Sequence, residues 1–150
     1  VDTGTLKLKG DSSLKVANGN IVAGDFTIDM ESLDVTTTSN TKIGVDKLEG
    51  HLRSEDFLSI EAHPTARFVI KNVTNGTVTG DLTIKGITKT ITFPAKIESE
   101  TDARIVADAS VILNRANWDI RYGSGSFFED LGDSIIDDKV AITLHLVATK

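Results

Sequence analysis

Apolar and polar residues alternate along most of the chain with a period of two. Leu6 and Leu8 alternate with Lys7 and Lys9, and Leu14 and Val16 continue the pattern. Beyond Val22, the apolar set Phe26, Ile28, Met30 falls opposite Asp25, Thr27, Asp29. The same alternation returns in Ala66-Phe68-Ile70, Leu82-Ile84 and Ile91-Phe93-Ala95-Ile97, then in Ile105-Ala107-Ala109-Val111 and Val140-Ile142-Leu144-Leu146-Ala148. Each segment reads as a strand with one buried and one wet face. Abundant threonine and β-branched residues suit strands as well. Asn18-Gly19 and Asn75-Gly76 lie between such segments and predict two-residue hairpins, because both residues tolerate the positive φ of a type I′ turn. Gly86 marks a third bend. About eight strands joined mostly by hairpins form a meander, and an antiparallel eight-stranded barrel is the expected closure. A flat sandwich is the alternative.

One excursion breaks the rhythm. Between Asp34 and Thr65 the period of two fades, and Val45, Leu48 and Leu52 recur at helical spacing across Ile43–Ser54. Asp46 near the start and Arg53 near the end match the helix dipole. The spacing predicts one short lid helix over a barrel end, and Pro64 prevents further helix. A second irregular stretch, Asn114–Asp138, holds Trp118, Tyr122, Phe127 and Phe128.

The composition sharpens this picture. With 150 residues, 39% hydrophobic and 25% charged, the chain reads as a single domain over 1–150. A chain of this size buries about 70% of its unfolded surface and needs no staple. It has no cysteine, which excludes disulfides, thiol nucleophiles and cysteine-based metal centres. The net charge is 16 − 22 = −6, and no basic stripe points to nucleic acid. No apolar run reaches membrane-spanning length, and no leader segment is read. The first residue is Val1 rather than Met, as in a processed or trimmed product, which keeps a secreted origin open.

Little in the chain suggests catalysis. His51, His63 and His145 belong to no metal-binding spacing and read as surface residues. Glu129, Asp130, Asp133, Asp137 and Asp138 lack the calcium-loop pattern and read as a solvated loop. Gly123-Ser124-Gly125-Ser126 is neither a nucleophile elbow nor a phosphate loop. No convergent acid–base set appears, so no catalytic residue, metal or cofactor is expected.

Shape remains. The expected lumen is lined by Phe26, Ile28, Met30, Phe68, Ile70, Leu82, Ile84, Ile91, Phe93, Ala95, Ala107, Ala109, Val111, Ile142 and Leu144, with Trp118 at an end. Small inward residues leave space that larger side chains would occupy. In the opposing reading the lid helix and Trp118 fill that space, and composition does not choose between the two.

Several segments are specific. Gly80-Asp81-Leu82-Thr83-Ile84-Lys85-Gly86-Ile87-Thr88-Lys89 resembles the signature strand pair of the YceI-like family of bacterial polyisoprenoid-binding, lipocalin-like proteins. Gly24-Asp25-Phe26-Thr27-Ile28-Asp29-Met30-Glu31-Ser32-Leu33 resembles its early strand. Leu48-Glu49-Gly50-His51-Leu52-Arg53-Ser54-Glu55-Asp56-Phe57 resembles its lid helix and acid-Phe corner. His63-Pro64-Thr65-Ala66-Arg67-Phe68 is similar to the proline-led start of a strand. Asn114-Arg115-Ala116-Asn117-Trp118-Asp119-Ile120-Arg121-Tyr122-Gly123 is similar to the arginine-aromatic loop. The likeness runs from Gly24 to the C-terminus. Before the point matching Leu6, members carry a further strand where this chain has only Val1–Gly4. Leu58 stands where a second Phe is common, and Asp119 where many members have Gly.

The resemblance implies a lipocalin-like barrel whose apolar lumen holds a polyisoprenoid, a quinone or another long-chain lipid, without catalysis. It also implies a periplasmic or secreted protein whose leader is removed. The alternative is an envelope stress or interaction module with a filled lumen and no lipid; a homodimer is left open. Arg115 and Arg121 lie in the loop Asn114–Phe128 at the expected barrel mouth. As head-group residues, with backbone amides around Gly123–Gly125, they would meet a diphosphate or quinone oxygen, which suits the planar guanidinium. The plainer reading pairs them with Asp119 or Glu129.

Because no ligand cluster is visible, a chelator should leave the melting temperature unchanged. A clear fall in a thermal melt on chelation would contradict this and point to the acidic run.

Overall fold

The computed structural model describes residues 3–10, 12–17, 20–37, 44–55, 57–101, 104–120 and 139–149. Its strands are β1 (Thr3–Leu8), β2 (Ser13–Ala17), β3 (Asn20–Thr37), β4 (Thr65–Thr74), β5 (Thr77–Ile84), β6 (Ile87–Thr101), β7 (Arg104–Asn114) and β8 (Lys139–Thr149). One helix, α1 (Gly44–Arg53), follows β3, and a 3₁₀ turn spans Arg115–Trp118. The strands form one antiparallel sheet in the order β1-β3-β4-β5-β6-β7-β8, with β2 also paired to β3.

The sheet curls into a half-barrel, and two strand segments share its first edge. β1 and β2 lie end to end along one side of β3, with Leu8 opposite Ile28 and Ser13 opposite Asp25. Between them Lys9 N–H donates to Thr27 O at 2.8 Å, and Thr27 N–H donates to Ser12 Oγ at 3.0 Å. Eight strand segments therefore span the arc of seven. Among the described residues, β1 and β8 do not pair.

Turn chemistry sets the register. Asn75 and Gly76 have φ of 52° and 77°, and Lys85 and Gly86 have 52° and 75°. Two successive left-handed residues are what a type I′ turn needs, and its twist matches that of the flanking strands. The Asn18-Gly19 turn lies outside the described residues.

The long strand β6 changes partner midway. Ile87–Pro94 pair with β5, and Ala95–Thr101 pair with β7. Proline fits at this handover because it has no amide to donate. The next amide, Ala95 N–H, reaches back to Gly76 O at 2.7 Å. Beyond Ala109, β7 diverges from β6, and the 3₁₀ turn lies against β6 in the gap.

The expected helix forms one residue inside each predicted limit. β4 pairs only with Gly24–Asp29 of β3, which leaves the second half of β3 without a strand on that side. There α1 supplies side chains in place of a ladder. Glu49 Oε1 accepts from Val35 N at 3.0 Å, and Arg53 Nη2 donates to Glu31 O at 3.0 Å and Leu33 O at 2.6 Å. Arg53 and Glu49 also pair at 3.4 Å. Covering a sheet edge in this way blocks unwanted strand pairing.

The outer face of β3, β4 and β5 carries charged pairs. Arg67 Nε donates to Asp25 Oδ1 at 2.9 Å and Nη2 to Oδ2, and this two-pronged bond holds the Asp25 carboxyl below the usual carboxylate range. Asp81 is lowered likewise by the Thr90 hydroxyl at 2.7 Å and by Lys71 at 3.1 Å.

Two outcomes follow from this geometry. Gly76→Val should lower stability by about 1–3 kcal/mol, the cost of a β-branched residue at left-handed φ. Gly50→Ala should raise it by about 0.5–1 kcal/mol, because Gly50 is exposed within α1 and a Cβ there meets nothing. Urea melts giving both changes the same sign would remove these assignments. The second outcome concerns acid. Depressed carboxyls contribute stability above the ordinary carboxylate pKa and lose it as pH falls through their lowered values. The melting temperature should therefore decline on acidification below the carboxylate range, and less steeply in the double variant Asp25→Asn, Asp81→Asn.

Candidate functional site: the concave face

Cross-strand register carries the inward set around the curl. Phe26 lies opposite Phe68, and Phe68 opposite Leu82. Val78 pairs with Phe93, Ala95 with Ala109, Ala109 with Leu144, and Val111 with Ile142. Directly opposed residues in an antiparallel pair share a face, so these form continuous apolar rows. Two glycines make room for the rings. Gly24 and Gly80 flank Ile70, and a Cβ at Gly80 would stand 2.5 Å from Val69 O and 2.6 Å from the Phe68 ring. Phe68 thus lies over Gly80 and meets Phe93 with ring centroids 5.7 Å apart.

One end of the concavity is filled. Trp118 is only 2% exposed, and its indole Nε1–H donates to Leu82 O at 3.0 Å. It packs in a buried cluster with Phe57, Val78, Leu82, Phe93, Val111, Leu113 and Ile120, against which Ile28, Phe68, Ile70, Ile84, Ile91, Ala95, Ala109 and Ile142 are partly buried. Met30 belongs to a smaller cluster with Ile60 and Ala66 beneath Leu58. Phe57, Leu113 and Ile120 were not among the expected lumen residues. Leu113 continues the alternation of β7 and was legible; Phe57 and Ile120 lie outside any strand, where no period marks them.

Among the described residues the other side is less filled. Ala95, Ala107, Ala109 and Ile142 are only half-buried, and inward-facing Leu144 is 41% exposed. A depression of about 430 Å³ crosses β6, β7 and β8; Pro94, Lys96, Asp108, Ser110 and Thr143 of its lining face outward by the register, so it belongs to the outer face, although Ala95, Ala109 and Leu144 of the inward set also border it. By register the strand residues of the expected set share the inward face, and Trp118 stands at its filled end.

Arg115 is 5% exposed and belongs to the closed end. Its Nη1 donates to Ile120 O at 3.0 Å, and its guanidinium stands 5.5 Å from the Phe57 ring centroid. Asn114 caps the 3₁₀ turn by accepting from Ala116 N at 3.0 Å. Asp119 ends the turn at φ 60°, ψ 27°. That left-handed geometry explains why glycine suits the position, and aspartate is among the few residues that tolerate it. Arg121, Gly123–Gly125 and the acidic run from Glu129 to Asp138 lie outside the described residues.

The histidines are scattered. His145 Nδ1 and Asp108 Oδ1 are 2.6 Å apart on the outward face, and the His51 ring meets Phe57 edge-on at 4.9 Å. Among the described residues, no three His, Asp or Glu side chains gather as a metal site would require.

Known proteins share this architecture. A UPF0312 protein of Pseudomonas aeruginosa (strain LESB58) is 40% identical over 90 residues, which cover 53% of this chain and 47% of that protein. The chain thus spans about half the length of the curated relatives it matches. The crystal structure of BcnA from Burkholderia cenocepacia superposes with a TM-score of 0.72 at 26% identity, covering 95% of this chain and 84% of BcnA. A polyisoprenoid binding domain from Saccharophagus degradans, implicated in plant cell wall breakdown, superposes with a TM-score of 0.64 at 13% identity, over 86% of this chain and 79% of its own, and shares the fold alone. The model of the YceI-like domain matches residues 2–148, and the chain belongs to the YceI-like family.

Proposed function

We propose that this protein is a non-catalytic carrier that holds a polyisoprenoid or another long-chain lipid along its concave face. The observation that carries the reading is the contrast between the two ends of the inward set. Large side chains crowd the end at Trp118, whereas alanines and the half-exposed Leu144 leave the β6–β8 side less filled among the described residues. A flexible apolar chain needs area and length rather than many placed polar groups. Each isoprene unit withdrawn from water gains up to about 4 kcal/mol at ~0.8 kcal/mol per carbon. Several such units would exceed the ceiling on non-covalent affinity, so chain ordering and partial exposure offset much of the gain. The polyisoprenoid binding domain of S. degradans, with the same fold, supports this ligand class. A head-group contact is assigned to Arg121, since Arg115 is built into the closed end.

The direct test is an unbiased mass spectrum of the organic extract of the purified protein, with fluorescence titrations of a prenol and the matching diphosphate. A prenyl or other long-chain lipid should be released. Ala109→Phe should weaken both ligands about tenfold, near 1.4 kcal/mol, without lowering the melting temperature. Arg121→Ala should weaken the diphosphate more than the prenol. An empty extract with no titration signal would favour the interaction module with a filled interior.

A further inference from the structure

One cation stands among the inward rows. On β6 the register sets Phe93 opposite Val78, Ile91 opposite Gly80 and Lys89 opposite Leu82, without a slip. Val78, Gly80 and Leu82 turn inward, so Lys89 does as well. It ends the row Phe26-Phe68-Leu82, whose other members are apolar. Among the described residues that the ladders from β3 to β8 turn inward, Lys89 alone is charged. Lysine is depleted in strands, and an apolar face gives an ammonium no partner, so its tip needs water or an anion. Among the described residues no carboxylate pairs with Lys89, and the side chain is exposed.

The sheet explains the exposure. β7 pairs with β6 only from Ala95 to Thr101, so beside Lys89 the edge of β6 away from β5 has no strand among the described residues. The 3₁₀ turn lies in that gap, and the Trp118 indole bonds to the carbonyl of Leu82, the residue opposite Lys89. Lys89 therefore marks the border between the filled end of the concave face and solvent.

We propose that Lys89 receives the anionic head group of the lipid, a phosphate or a carboxylate, at the gap between β6 and β7. The assignment rests on the carrier reading and adds a strand-borne cation to the contact assigned to Arg121. Ile91, Phe93 and Ala95 continue from Lys89 along the inner face of β6. At about 3.3 Å per residue they carry that face about 20 Å, to the alanines of β6 and β7. A chain held by its head at Lys89 thus has an apolar floor that leads to the less filled side. The ammonium offers three donors for short, charge-assisted bonds to oxyanion oxygens. Its flexible stem suits either anion, whereas the rigid fork of arginine favours paired oxygens.

The test is fluorescence titration of the full chain, at fixed salt, with a prenol, its monophosphate and the carboxylic acid of the same chain. Lys89→Gln should weaken one or both anions about tenfold, the worth of one hydrogen bond to a charged group. It should leave the prenol and the melting temperature unchanged, and the anion that loses affinity names the head group. Lys89→Glu should weaken that anion further. Lys96→Gln, on the outer face of the same strand, should change none of the three. If the prenol binds and Lys89→Gln leaves both anions at their original affinity, the assignment falls and the carrier reading stands. An equal loss for prenol and anions also overturns it. Absence of binding by all three, with an empty organic extract, removes the carrier reading and the assignment together.

Discussion

The hydrogen bond from the Trp118 indole to Leu82 O sets the form of the whole concave face. β6 and β7 part beyond Ala109, and a gap in a curled sheet exposes both core and backbone. The 3₁₀ turn after β7 folds back into that gap, and its last residue, Trp118, brings the largest buried side chain of the described structure to the carbonyl of the central strand β5. Burying an indole N–H without a partner would cost about 1–3 kcal/mol, so the ring stays where Leu82 O can receive it. With that end sealed, the remaining apolar surface of the curl is left toward β7 and β8.

Much of this was legible in the sequence, because alternation with a period of two survives folding intact. The inward set fell on one face, since a slip of one residue would turn every apolar side chain outward. Asn75-Gly76 specified its turn through the φ values both residues allow. The helix was marked by Val45, Leu48 and Leu52. Its attachment was not, because the bonds of Glu49 and Arg53 depend on where β4 stops pairing with β3. Leu14 and Val16 read as a continuation of the Leu6–Leu8 alternation, and no local signal says that they belong to two strands along the same side of β3. Arg115 was the least legible. A loop arginine in sequence is a head-group or surface candidate, and only the tertiary structure places it under Phe57 with Ile120 O as acceptor.

Small residues divide into two kinds here, although they look alike in the sequence. Gly24 and Gly80 are required by the Phe26 and Phe68 rings, which occupy the volume a side chain would take. Ala95, Ala107 and Ala109 are only half-buried among the described residues. The first kind serves packing and the second leaves room. Family membership makes the fold secure at modest identity. On the proposed carrier reading, it is this second kind that leaves room for a flexible apolar guest.

The change of partner along β6 gives the molecule a boundary in local stability. Strands β3, β4 and β5 are zipped together up to Pro94, whereas β7 and β8 hang on Ala95–Thr101 and on the 3₁₀ turn. Each ladder keeps its own backbone hydrogen bonds when the other is lost. The amides of β7 and β8 therefore form a unit whose exchange with solvent follows opening at Pro94 rather than unfolding of the whole chain.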